Sequence, residues 1–194
     1  MQAIHQTEVS LPDVDLRART LFIGLLAGFG AGVLNAVVAR LLMRAIALLM
    51  FGQGSFSIGG TAVIFMFGAL VGPLFGVIYS FTLSRLGAHD LIKGLLFGLI
   101  LMLTLQVPGL FLAPDFLAEL MAVGPLAFAI FALMNFSFVL TLAGLVGWLQ
   151  KTWPVDPARQ RMERITTIIL GLLALIGLVL LLVEIVGRPL GLID

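Results

Sequence analysis

Polar positions along this chain do not alternate with apolar ones; over long stretches they are almost absent. Apolar character is continuous over roughly Ile58–Leu83, Leu95–Ala113, Pro125–Leu149 and Ile165–Val186, and a further run begins at Leu21. Each run reaches the ~20 residues that a helix needs to cross a hydrocarbon core. Their continuity excludes a transmembrane barrel, whose strands would alternate. The pattern predicts an all-α integral membrane protein of five transmembrane helices, at approximately 20–51, 58–83, 91–113, 125–150 and 157–186. Residues 1–19 read as a cytoplasmic tail and helix lead-in, and 20–194 as a single five-helix membrane domain.

The punctuation between runs agrees. Ser10 stands three residues before Asp13 in "SLPD", with Pro12 suited to a first turn, so a helix is expected to start there and run through Arg17 and Arg19. Gly52 and Gly54 supply a stop, Gly87 closes the second helix, and Asp90 is expected to cap the third. Pro108 and Gly109 should kink or break the third helix. "APDFLAEL" suits a short interfacial turn. Gly124 and Pro125 open the fourth helix, Asp156–Pro157 the fifth, and Gly187 with Pro189 end it.

Composition strengthens this reading: 61% of residues are hydrophobic and 11% charged, against roughly 25% charged in soluble domains. Basic residues also give an orientation. Arg17, Arg19, Arg85, Lys93, Lys151, Arg159, Arg161 and Arg164 fall on one side of a five-span arrangement, and the opposite loops, 52–57 and 114–124, hold no Lys or Arg. The positive-inside rule then puts the N-terminus in the cytoplasm and the C-terminus outside it, in the cell membrane, with Trp148 and Trp153 at the cytoplasmic interface. Glu8, Asp13 and Asp15 precede any Lys or Arg, unlike a secretory signal, so the first run is expected to be a retained anchor.

Small residues are arranged in rows. Gly24, Gly28 and Gly32 recur every four positions, as do Gly68, Gly72 and Gly76, and Gly94 with Gly98 forms a shorter row. Such spacing puts glycines on one helix face, where backbones can approach closely. The rows suit packing of helices one and two within a chain, contact with another subunit, or a slot for a flat pigment or quinone.

Two arginines interrupt the first run. Arg40 lies roughly 30 Å along the helix from Thr20 and Arg44 about 6 Å further, within ~40° of each other around the axis. Three readings apply: snorkelling to outer headgroups, pairing with a buried acid, or holding an anionic ligand or partner subunit. Glu184, the one acid inside an apolar run, lies at a matching depth; Asp115 and Glu119 are alternatives. Gln106 belongs to the outer half and Asn135 to the midplane, where each is expected mainly to bond a neighbouring helix. Together Arg40, Arg44, Gln106, Glu184 and Asn135 form the candidate ligand-binding set, in a cavity expected between helices one, three and five.

Reactive chemistry is scarce. The chain has no cysteine and two histidines, His5 and His89, neither within a span. Haem or chlorophyll ligation in the membrane therefore has no histidine to use, and no metal, nucleotide or hydrolase motif occurs. "GQGSFSIGG" reads as a flexible turn. Transport pathways normally carry polar groups at mid-depth, where this chain offers Asn135, Thr141 and Ser137. A net charge of +1 argues against nucleic acid. The expectation is a non-enzymatic polytopic protein without cofactor or metal: a helix-packing scaffold or accessory subunit, forming a homo-oligomer or joining a larger membrane complex. The alternative is a binder or carrier of lipid, quinone or small anion with an outward-facing polar site. An enzyme acting on a lipid stands behind both.

Overall fold

A computed structural model describes residues 13–51, 57–83, 86–107, 124–153 and 160–187. These residues form five helices: α1 (Asp13–Phe51), α2 (Ile58–Thr82), α3 (Asp90–Leu101), α4 (Pro125–Thr152) and α5 (Gln160–Gly187). A π-helical run, Met102–Gln106, continues α3. Four of the helices, all but α3, are long and apolar enough to cross a membrane, the build of a multi-pass membrane protein. The expected stops at Gly52 and Gly54, the break at Pro108 and Gly109, the "APDFLAEL" turn and the Asp156–Pro157 start lie outside the described residues.

α1 and α2 pack antiparallel along their glycines. Gly24 faces Gly76, Gly28 faces Gly72 and Gly32 faces Gly68, and a Cβ at any of these positions would drive into the opposite backbone. Removing side chains at four-residue intervals lets the two main chains touch, which in a bilayer supplies the van der Waals contact that drives helix association. Both rows are thus turned toward each other within one chain. The Gly94–Gly98 row packs on α4: a Cβ on Gly94 would lie 3.1 Å from Ala143 Cβ, and one on Gly98 2.8 Å from Val139 Cγ2. α5 lies against α1 and α2, where Gly177 meets the Leu70 carbonyl.

This antiparallel arrangement gives the bundle two ends. The near end carries Arg19, Leu83, Asp90 and Trp153; the far end carries Met43, Ile58, Leu105 and Phe128. The solid core fills the near half, with Phe22, Tyr79, Phe97, Leu142, Val146 and Leu149 buried together. Large apolar side chains cover the outside instead. On α5, Ile165, Ile168, Ile169, Leu172, Leu175, Ile176, Val179 and Val183 are all exposed, and α3 with its π-helical extension presents Leu91, Ile92, Leu95, Leu96, Leu99, Ile100 and Leu103. Patches of this size are foreign to a water-facing surface.

Polar contacts clasp the near end. Arg19 Nη2 donates to the Trp153 carbonyl at 2.9 Å and the Gln150 carbonyl at 3.3 Å, meeting carbonyls that the last turn of α4 leaves unpaired. Trp153 packs its ring on Phe22 at 5.4 Å and donates Nε1–H to Glu163 of α5 at 2.7 Å. Trp148 is exposed.

One local expectation is corrected. His89, not Asp90, caps α3, its Nδ1 accepting from the Leu91 amide at 3.3 Å. Asp90, one residue further in, instead turns its carboxylate across to α4 over Gly147, within 3.3 Å of Lys93 Nζ and 4.0 Å of Lys151 Nζ. Lys93 accordingly belongs to a buried face of α3.

Candidate functional site

The far half of the bundle is hollow. A cavity of about 430 Å³ opens among α1, α2, α3 with its π-helical extension, and α4. α1 contributes Gly32, Asn35, Ala36, Ala39 and Met43, and α2 runs along it from Val63 to Phe75. Leu101 and Leu105 form the third wall, and Phe131, Met134, Asn135 and Phe138 the fourth. The glycine rows reach this space, because Gly32, Gly68 and Gly72 line it. Val63, Phe67 and Leu105 also line it while remaining exposed, so the cavity opens sideways between α2 and the π-helical run.

The described lining residues are apolar except for two asparagines. Asn135 is 5% exposed and donates Nδ2–H to the Gly98 carbonyl at 3.1 Å. That carbonyl also accepts from the Met102 amide, which divides its hydrogen between Gly98 and Leu99. A side-chain donor entering the ladder at this level gives a physical cause for the change of helix type that begins at Met102. The run ends with the Val107 amide on the Met102 carbonyl, a five-residue step; residue 108, a proline, brings no N–H with which to resume the ordinary ladder. π-helical turns inside α-helices recur at functional sites, and this one forms a wall of the cavity.

Asn35 differs from Asn135. Its Oδ1 is sealed from solvent and has no hydrogen-bond partner among the described residues. A buried acceptor left unpaired costs about 1–3 kcal/mol, and native structures pair the great majority of such groups.

The arginines stand apart from this space. Arg40 Nη2 donates to the Ser57 carbonyl at 3.2 Å, an oxygen that also takes the Thr61 amide at 3.0 Å and hydroxyl at 2.8 Å. Ser57 caps α2, its side chain accepting from the Gly60 amide. Arg40 thereby ties the far end of α1 to the start of α2. Arg44 is exposed and forms no ion pair or hydrogen bond among the described residues. Neither arginine lines the cavity.

The backbone of Gln106 closes the π-helical run and that of Glu184 belongs to α5; both side chains lie outside the description. Among the described residues the cavity is framed by α1 to α4, with no lining residue from α5, rather than by helices one, three and five as expected. Of the candidate ligand-binding residues whose side chains are described, Asn135 lines it and Arg40 and Arg44 do not.

Sequence reasoning passed over Asn35, Ser57 and the π-helical run. Asn35 carried a signal: it is an amide inside an otherwise apolar run, where a polar group needs a reason. Ser57, directly before an apolar helix, carried the ordinary capping signal. No family model matches this chain, and no curated protein or solved structure matches it.

Proposed function

We propose that this is a five-span protein of the cell membrane that binds a lipid-like small molecule in the far half of its bundle. In this reading α3 and its extension form the fifth span. The basic near end faces the cytoplasm, and the cavity lies in the outer leaflet, open to the lipid. The observation that carries the proposal is a largely apolar space of about 430 Å³ among the helices with two amides in its wall. Ligand pockets run from about 300 to 1,000 Å³ and combine apolar walls with a few polar groups that fix orientation. A single ring system or one chain fits this volume better than a whole two-chain phospholipid.

A scaffold or accessory-subunit role draws less support. It rested on the glycine rows, the scarcity of reactive groups and the short loops, and of these the rows of α1 and α2 face each other rather than a neighbouring chain. Homo-oligomerisation, or membership of a larger complex, would have to use other surfaces.

Native mass spectrometry of protein extracted with its own lipids tests the choice. Val63 and Leu105 line the cavity yet are exposed, so Val63→Trp and Leu105→Trp obstruct its mouth without crowding the core. The expected result is one retained small molecule on the wild type that both variants lose. A bare chain throughout, or retention indifferent to either tryptophan, refutes the binding role. A stable mass containing a second polypeptide returns the scaffold role to first place.

A further inference from the structure

We infer that the occupant of this cavity is an uncharged amphiphile with a carbonyl head, borne on a quinone ring or an acyl chain, that accepts a hydrogen bond from the side-chain N–H of Asn35. The inference rests on the binding role proposed above and specifies the chemistry of the ligand.

Asn35 offers an occupant one half of its amide. Its Oδ1 is sealed, whereas its Nδ2 is not and donates no hydrogen bond among the described residues. Gly32, Asn35, Ala36 and Ala39 all line the cavity, within an arc of about 100° around α1. The other amide is already engaged, since Asn135 donates Nδ2–H to the Gly98 carbonyl at 3.1 Å. The donor that packing has not used is therefore on Asn35.

A carbonyl matches such a donor, because it brings lone pairs and no proton of its own. A hydroxyl could also accept from Nδ2, but its hydrogen would then need an acceptor, and the Asn35 oxygen beside it is sealed. An unmade bond of that kind offsets part of what the accepted one contributes. Charge adds a second criterion. The described lining residues carry none, so an ionised head finds no counter-charge among them to offset its desolvation. The apolar body of the ligand has Phe67, Phe131 and Met134 to pack on, and the mouth between Val63 and Leu105 leads it out to lipid.

Matched probes separate these terms. Geranylacetone, the alcohol made by reducing it and the hydrocarbon lacking its oxygen share one apolar body and differ at the head. Binding of each to the full-length wild type, Asn35→Leu and Leu105→Trp is measured in nanodiscs and corrected for uptake by empty ones. The wild type should prefer the ketone to the hydrocarbon by about tenfold, the scale of one buried hydrogen bond, and to the alcohol by a smaller factor. The infrared carbonyl band of the ketone should move to lower frequency on the wild type. Asn35→Leu should lose that shift and hold ketone and hydrocarbon alike, and Leu105→Trp should abolish binding of all three. Menadione, run beside geranylacetone, tells a ring carbonyl from a chain carbonyl; tighter binding of either keeps the assignment and names the source. Equal binding of ketone and hydrocarbon by the wild type, still blocked by Leu105→Trp, overturns the carbonyl head and leaves the cavity's role standing. So does an alcohol held more tightly than the ketone, or a ketone preference that survives in Asn35→Leu. Binding of none of the four probes, or binding that Leu105→Trp does not touch, removes the binding role and this inference together.

Discussion

Adding one methyl group to the glycine ladder should cost more than it would almost anywhere else in the bundle. A Cβ on Gly28 would stand 2.8 Å from the Gly72 carbonyl carbon and 2.8 Å from Pro73 Cα. Carbon atoms rest at about 3.5–4.0 Å, so α1 and α2 must part by roughly 1 Å at this level. The obstacle is backbone on both sides, and no rotamer change relieves it. Because helices move as stiff bodies, the Gly24–Gly76 and Gly32–Gly68 contacts loosen too. Overpacking of this kind costs about 1–3 kcal/mol, against about 1 kcal/mol recovered from the better helix propensity of alanine. Gly28→Ala should therefore lose up to about 2 kcal/mol. Gly144→Ala and Gly171→Ala, with nothing within 4 Å of the new methyl, should be neutral or slightly stabilising.

SDS-driven unfolding in mixed micelles, followed by the fluorescence of Trp148 and Trp153, measures these differences. A second change sharpens the test. Once Gly28→Ala has parted the helices, Gly72→Ala meets an opened gap, so the double variant should be more stable than the sum of the single losses predicts, by at least about 0.5 kcal/mol. Equal stability for Gly28→Ala and Gly144→Ala would refute the argument, since it would mean that the main chains do not touch where the ladder brings them together. Strict additivity at positions 28 and 72 would refute the shared contact.

The same unfolding assay checks three further expectations. Asn135→Leu removes the bond to the Gly98 carbonyl and should cost about 0.6–1.7 kcal/mol, the range for interhelical polar contacts in lipid; no loss would detach Asn135 from α3. Arg40→Gln should lose about 0.5–1.5 kcal/mol with its bond to the Ser57 carbonyl, while Arg44→Gln stays within about 0.5 kcal/mol of wild type; equal effects would contradict the different surroundings of the two side chains. Gly147→Ala should cost about as much as Asp90→Asn, because the new methyl displaces the carboxylate that holds Lys93 and Lys151, and the double variant should add little to either.

The all-helical build was legible because the bilayer imposes it: runs this apolar have no other way to satisfy their backbone. The edges of α2 and α4 were readable for the same reason. Capping at α3 was less so, since "HD" offers two adjacent side chains able to accept an amide hydrogen and their order along the chain does not say which is turned back. The pairing of the glycine rows was open to sequence only as one possibility among several. Four-residue spacing establishes that a helix face is bare, but the partner of that face is decided by which helices the loops allow to meet.

The site was harder for a related reason. Sequence draws attention to charge, and Arg40 and Arg44 are conspicuous inside an apolar run. Charge is also what a membrane protein most readily moves to an edge: one arginine reaches a carbonyl at the end of α2 and the other reaches the surface, so neither is forced into the interior. A neutral amide has less to gain by leaving, and it can remain inside a bundle if something accepts or donates to it. Asn135 finds the Gly98 carbonyl, on a residue whose missing side chain brings α3 close to α4. Asn35 lines the cavity, yet its Oδ1 is sealed and finds nothing comparable from the described residues. In a chain this apolar, the informative residue is therefore the uncharged polar group that packing leaves unanswered.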